Sequence, residues 1–118
     1  LLYFDLTNLP VTTTIRSASL HLHLFAYGQS DVYEGVHAIL DPDGAGLWSE
    51  TESTFAQRRP GVAWSQTGAG DLSTVLGPEL DRVYLGTHEQ WSDFWEAWDV
   101  TAAVQEWVAN PAANSGLV

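Results

Sequence analysis

Alternation with a period of two runs through most of the chain. Ala18, Leu20, Leu22, Leu24 and Ala26 fall on one side of a predicted strand, and Ser19, His21, His23, Phe25 and Tyr27 on the other. A strand with one buried face reads this way. Tyr27-Gly28-Gln29-Ser30 breaks it. Val32-Tyr33 and Val36 through Leu40 predict the next strand, with Val36, Ala38 and Leu40 inward, before a turn at Asp41-Pro42-Asp43-Gly44. From Asp41 to Gly86 the chain is rich in Gly, Ser, Thr and Pro and predicts a long irregular stretch. Trp48, Phe55 and Trp64 are its expected anchors, with a short helical turn near Ser49 to Ser53. Val83-Tyr84-Leu85 and Phe94 through Trp98 are the last strand candidates.

The period then changes. Val100, Ala103, Val104, Trp107 and Val108 recur at three and four residues and give a short helix one apolar face. Asp99 is placed to accept the first free N–H groups of that helix. Pro111 ends it by disfavouring the helical conformation at Asn110. Asn114-Ser115-Gly116 turns the chain toward Leu117-Val118, the start of another strand. So short a helix is marginal alone, and Trp107 is expected to rest on the sheets with Val100, Val104 and Leu22.

Composition narrows the class. With 118 residues, 45% of them hydrophobic, and six Trp, four Tyr and four Phe, residues 1–118 can bury one core as a single module. There is no Cys, which removes disulfides and thiolate chemistry. No apolar run approaches the roughly 20 residues that cross a bilayer, and any export signal is expected outside this chain. Fifteen acidic residues stand against four Arg and no Lys, for a formal net charge of −11. That field repels phosphate backbones and disfavours nucleic acid. Spread over the surface, the same charge serves solubility alone.

Several residues carry candidate chemistry. Glu50 and Glu52, at i and i+2 of a strand, would stand about 7 Å apart, within the range of an inverting glycosidase pair, but that spacing is common. Gly-rich phosphate loops, nucleophile elbows and metalloprotease helices are missing from the sequence. His21 and His23 share a strand side, and His37 on the next strand would complete a metal site if the register aligned them. As outward positions they serve equally as solvated polar residues. The same side fits a sugar better: Phe25, Tyr27 and Tyr33 beside His21 and His23 make a flat aromatic surface with hydrogen-bonding edges. Asp41 and Asp43 offer hard oxygens to calcium, or simply cap their turn. Only Arg16, Arg58, Arg59 and Arg82 could meet a carboxylate, so neutral polysaccharide is a better partner than acidic.

Four stretches, in order, resemble the DNRLRE-type domains related to carbohydrate-binding module family 96 and the disaggregatase-related repeats. They are Leu1-Leu2-Tyr3-Phe4-Asp5-Leu6 through Leu9-Pro10; Ser17 through Leu22; Trp48-Ser49-Glu50 through Thr54-Phe55 to Arg59-Pro60 and Trp64; and Trp98-Asp99-Val100-Thr101 through Val104-Gln105, Trp107-Val108, Asn114 and Gly116-Leu117. Phe55 departs from the family's usual Trp. The resemblance implies a mainly β, jelly-roll-type antiparallel sandwich with one short C-terminal helix. It also implies a non-catalytic role in a secreted or cell-surface protein, a structural Ca²⁺, and structural parts for Trp48, Glu50, Trp64, Asp99 and Trp107. Set against the family, the first strand region and most of the last are lacking. Leu1-Leu2 and Leu117-Val118 are therefore expected to lie unpaired, completed by the rest of a longer polypeptide or by a neighbouring copy. A repeat or subunit of a surface array or fibre is the alternative role.

Overall fold

The computed structural model describes residues 1–25, 32–40, 48–69, 75–85 and 93–118. Its strands are β1 (Ser19–Leu24), β2 (Tyr33–Ile39), β3 (Gln57–Arg59), β4 (Val62–Ala63), β5 (Leu76–Tyr84) and β6 (Phe94–Asp99), followed by the helix α1 (Thr101–Ala109). The ladders are antiparallel and join β1 to β6, β2 to β5 and β3 to β4. The chain is thus mainly strands in small antiparallel sheets with one short helix. Among the described residues no helix is long and apolar enough to cross a membrane.

On β1 the alternation holds: Leu20 is buried, Leu22 and Leu24 are half-buried, and Ser19, His21 and His23 face out. Across the ladder Trp98 is buried while Trp95, Ala97 and Asp99 are exposed. β2 departs from its pattern. Leu40, expected inward, is exposed, and Ile39 is buried with Val36. The register with β5 slips between Val36 and His37 and again before Ile39. The second slip spans Gly77-Pro78 on β5. Proline has no N–H for a ladder, so it settles at such an irregularity. The hairpin β3–β4 and the first half of β5 lie where the composition predicted irregular chain.

Two apolar clusters form the interior. Leu20, Val36, Trp98, Val100, Ala103, Trp107 and Leu117 make the first, with Leu22, Leu80 and Val104 packed against it. It joins both longer strand pairs to α1 and the C-terminal stretch. Ile39, Trp48, Trp64 and Val75 make the second. Phe55, the third expected anchor, is 74% exposed. Its ring lies over Gly68, where a side chain would collide with it.

The polar residues of α1 hold irregular chain in place. Asp99 Oδ1 accepts the Thr101 N–H at 2.9 Å, from one residue outside the cap position, which Val100 occupies. The Thr101 hydroxyl accepts the Ala18 N–H at 2.9 Å, and Gln105 Oε1 accepts the Ile15 N–H at 2.8 Å. Asn110 is extended before Pro111, and the helix ends there.

Leu1-Leu2 and Leu117-Val118, expected to lie unpaired, are joined to each other and to β2. Leu2 and Leu117 exchange both backbone bonds at 2.9 and 2.8 Å. His37 and Val118 do the same at 2.7 and 3.0 Å, and the Ile39 N–H reaches the Gly116 carbonyl at 2.8 Å. The C-terminal stretch therefore lies between Leu2 and β2, and Leu117 is only 1% exposed. Pairing between residues so far apart in sequence leaves no local signal. Gly116 makes the approach possible: its φ is +92, and a Cβ there would run into the Leu2 carbonyl oxygen.

Trp107→Ala is expected to lose about 3–5 kcal/mol of unfolding free energy in urea, as for other large-to-small core changes. Unchanged stability would place Trp107 outside the core. Gly116→Ala should cost at least ~1 kcal/mol through its backbone conformation alone, and an equally stable variant would contradict the pairing of the chain ends.

Candidate functional site

The outer side of the β1–β6 pair carries an aromatic strip. Because β1 is extended, His21, His23 and Phe25 follow one another on one side. The register sets His21 opposite Ala97 and His23 opposite Trp95. The His23 and Trp95 rings lie 5.2 Å apart at 44°, and His23 and Phe25 lie 6.4 Å apart at 32°. Phe25 and Trp95 are 72% and 67% exposed, so this aromatic area faces solvent rather than core. Ala97 leaves the His21 imidazole uncovered on the β6 side. Among the outward positions of the two strands only Asp99 bears a formal charge, and Thr101 holds its carboxyl below the usual aspartate range through hydroxyl and backbone hydrogen bonds.

Tyr33, expected on the same face, sits on the other strand pair. It lies opposite Tyr84 on β5, with ring centroids 4.8 Å apart at 39°. Tyr27, the fifth member of the expected sugar face, and Asp41 and Asp43, the expected calcium ligands, lie outside the described residues. Trp95 and Tyr84 complete the two aromatic groupings. The alternation Phe94-Trp95-Glu96-Ala97-Trp98 could have placed Trp95 outward, but its pairing with His23 depends on a register that sequence does not reveal.

The three histidines do not converge. His37 Nδ1 lies 3.0 Å from the Gly77 carbonyl oxygen, and its Nε2 is 3.8 Å from Glu79 Oε2. Among the described residues no three His, Asp or Glu side chains gather as a metal site would require. Glu50 and Glu52 are exposed on a helical turn, closed by the Ser53 N–H on the Ser49 carbonyl at 2.8 Å. The strand spacing assumed for an acid pair therefore does not apply. The Ser49 hydroxyl donates to Glu52 Oε2 at 3.2 Å.

The expected structural tryptophans are buried and bonded. Trp48 Nε1 donates to the Ser115 carbonyl and Trp64 Nε1 to the Thr54 carbonyl, each at 3.0 Å. The Arg58 guanidinium stacks over Trp64 at 5.3 Å from the ring centroid. Two apolar clefts of about 340 and 370 Å³ flank Leu20 and Leu117, one walled by Phe4, Leu6 and Trp107, the other by Leu1, Leu22 and Trp98.

No family model, curated protein or solved structure matches the chain.

An ion pair made by two hydrogen bonds lies on β5. Arg82 donates to Glu79 through Nε at 2.7 Å and Nη2 at 2.6 Å. These bonds hold the Glu79 carboxyl below its ordinary range and raise the Arg82 guanidinium. A lowered carboxylate pKa stabilises the fold above the ordinary glutamate value, and that contribution fades as pH falls through the folded value. Carboxyl-carbon NMR should show Glu79 titrating below an ordinary glutamate, and Arg82→Ala should return it upward. An identical titration in the variant would contradict the pair.

Proposed function

We propose that this chain is a non-catalytic, jelly-roll-type sandwich module that binds neutral polysaccharide through the outer face of β1–β6, as part of a secreted or cell-surface protein. The observation that carries the reading is the exposed strip of Phe25, His23 and Trp95. The C–H faces of a pyranose ring pack on such rings, and the edge nitrogens of His21 and His23 give and accept hydrogen bonds with its hydroxyls. Water is displaced from apolar area that the folded chain otherwise leaves wet.

Charge selects among glycans. A net charge of −11 opposes a uronate chain, and none of the outward residues of β1 and β6 is cationic apart from a protonated histidine. The sandwich is supported by the apolar cluster that the β1–β6 pair shares with β2 and the C-terminal stretch. The four-stretch resemblance to DNRLRE and family 96 domains points the same way.

A second reading, as a subunit of a surface array, draws on the N-terminal arm. Leu1, Tyr3, Phe4, Leu9 and Val11 are exposed there, beside the two apolar clefts. A copy seated on that arm would give a solution mass that rises with concentration in light scattering.

Affinity electrophoresis decides for the glycan reading. Gels containing mixed-linkage β-glucan, galactomannan or arabinoxylan should include at least one that retards the chain, with little change on adding salt because stacking rather than charge holds it. Alginate should not. Trp95→Ala, folded as judged by its circular dichroism, should weaken the interaction about tenfold, equivalent to ~1.4 kcal/mol. Free migration of the native chain in every neutral gel would sink the reading.

A further inference from the structure

The outer side of β2–β5 carries a second constellation, on different strands from the aromatic strip. Tyr33 is 62% exposed and stands opposite Tyr84. Two residues further along, on the same side of the ladder, Gly35 is opposite Arg82. Then the ladder slips. Val36 pairs with Asp81 but His37 pairs with Glu79, so Leu80 is an extra residue on β5. Leu80 packs on the first apolar cluster. With unbroken alternation Glu79 would share the side of Asp81 and Val83. The bulge instead turns it to the side of Arg82, whose guanidinium it grips with both oxygens.

Gly35 is part of the same arrangement. A Cβ there would stand 2.9 Å from Glu79 Oε2, so the missing side chain lets the carboxylate lie down on the strand. His37 Nε2 closes the row at 3.8 Å from that oxygen. The packing of Leu80 accounts for the bulge, but stability gives a poor account of the ion pair it creates, because an exposed Arg–Glu pair contributes little to folding. A carboxylate and a guanidinium held by two hydrogen bonds, beside a tilted pair of tyrosine rings, are instead suited to hydroxyl recognition. The carboxylate has lone pairs beyond those used by Arg82, and the guanidinium has N–H donors beyond those given to Glu79.

We propose that Tyr33, Tyr84, Arg82 and Glu79 form a second sugar subsite, in which a neutral pyranose packs on Tyr33 and its adjacent hydroxyls bond Glu79 and Arg82. It rests on the glycan-binding reading above and extends it: two contact faces on separate strand pairs make the module bivalent toward a long polymer. Each face then raises the effective concentration of polymer at the other, and affinity for polymer exceeds that for a short oligosaccharide.

The test uses the same three neutral gels with the whole chain, comparing native protein, Trp95→Ala, Tyr33→Ala, Arg82→Lys and the double variant Trp95→Ala/Tyr33→Ala, each with its melting temperature. In the gel that retards the native chain, Tyr33→Ala and Arg82→Lys should each weaken binding about tenfold. Trp95→Ala should leave residual binding that the double variant loses. Arg82 is an exposed side chain, so its variant keeps the test open if Tyr33→Ala fails to fold. Native affinity in both Tyr33→Ala and Arg82→Lys overturns the second subsite, and weakened or lost binding in Trp95→Ala then leaves the proposed function standing. Loss in Tyr33→Ala and Arg82→Lys with Trp95→Ala unchanged upholds the subsite and removes the strip on β1–β6. Free migration of the native chain in all three gels overturns both.

Discussion

Three buried indoles, each donating its N–H to a backbone carbonyl of another segment, are the interactions on which this structure depends. Trp98 reaches the Glu34 carbonyl at 3.1 Å and ties β6 to β2. Trp48 reaches Ser115 and ties the middle of the chain to its C-terminal stretch, while Trp64 reaches Thr54 and closes the loop around β3–β4. The ladders here are short, so ladder bonds alone leave much of the chain untethered. An indole serves both needs: its rings fill the apolar clusters, and its N–H would carry a desolvation cost if left unbonded. A replacement such as Leu would restore part of the packing but not the link between segments.

Side-chain bonds to backbone continue this logic along α1 and beyond it. Thr101 and Gln105, one turn apart, hold Ala18 and Ile15, and Asn114 Nδ2 donates to the Phe4 carbonyl at 2.9 Å. The N-terminal arm has little regular structure of its own, so its buried polar groups find partners on the helix and the turn that follows. The distinctive C-terminal spelling therefore builds the scaffold. The surfaces offered for recognition lie elsewhere, on the outward positions of β1, β6, β2 and β5.

How much of this the sequence discloses depends on whether the cause is local. The inward side of β1, the helix over Thr101–Ala109 and its stop before Pro111 follow from spacing and dihedral preference within a few residues. The burial of Trp107 follows from the helix face. Ile39 in place of Leu40 does not, because the irregularity that upsets the alternation involves a partner strand some forty residues away. The first half of β5 is hidden for a related reason, although its end, Val83-Tyr84, reads as strand. Gly77 and Pro78 read as breakers, yet they occupy the slip in a strand that continues on both sides. Within the candidate site, His21, His23 and Phe25 could be grouped from one strand's alternation. Assigning Trp95 to them and Tyr33 to Tyr84 needed the strand pairing, a property of the folded chain alone.

The position of the C-terminal stretch between Leu2 and β2 also constrains the order of assembly. Leu2, Phe4 and Ile15 have their hydrogen-bond partners at Leu117, Asn114 and Gln105, so these bonds wait until the stretch some ninety to one hundred and fifteen residues further along has been made. Contacts this distant in sequence close slowly, since the intervening loop must be ordered before they form. In the interval an apolar arm and the unfilled side of β2 are exposed together, in the same molecule and on its neighbours. Partner exchange at that stage, in which one copy's arm settles on another's C-terminal stretch, is the characteristic error that this topology invites.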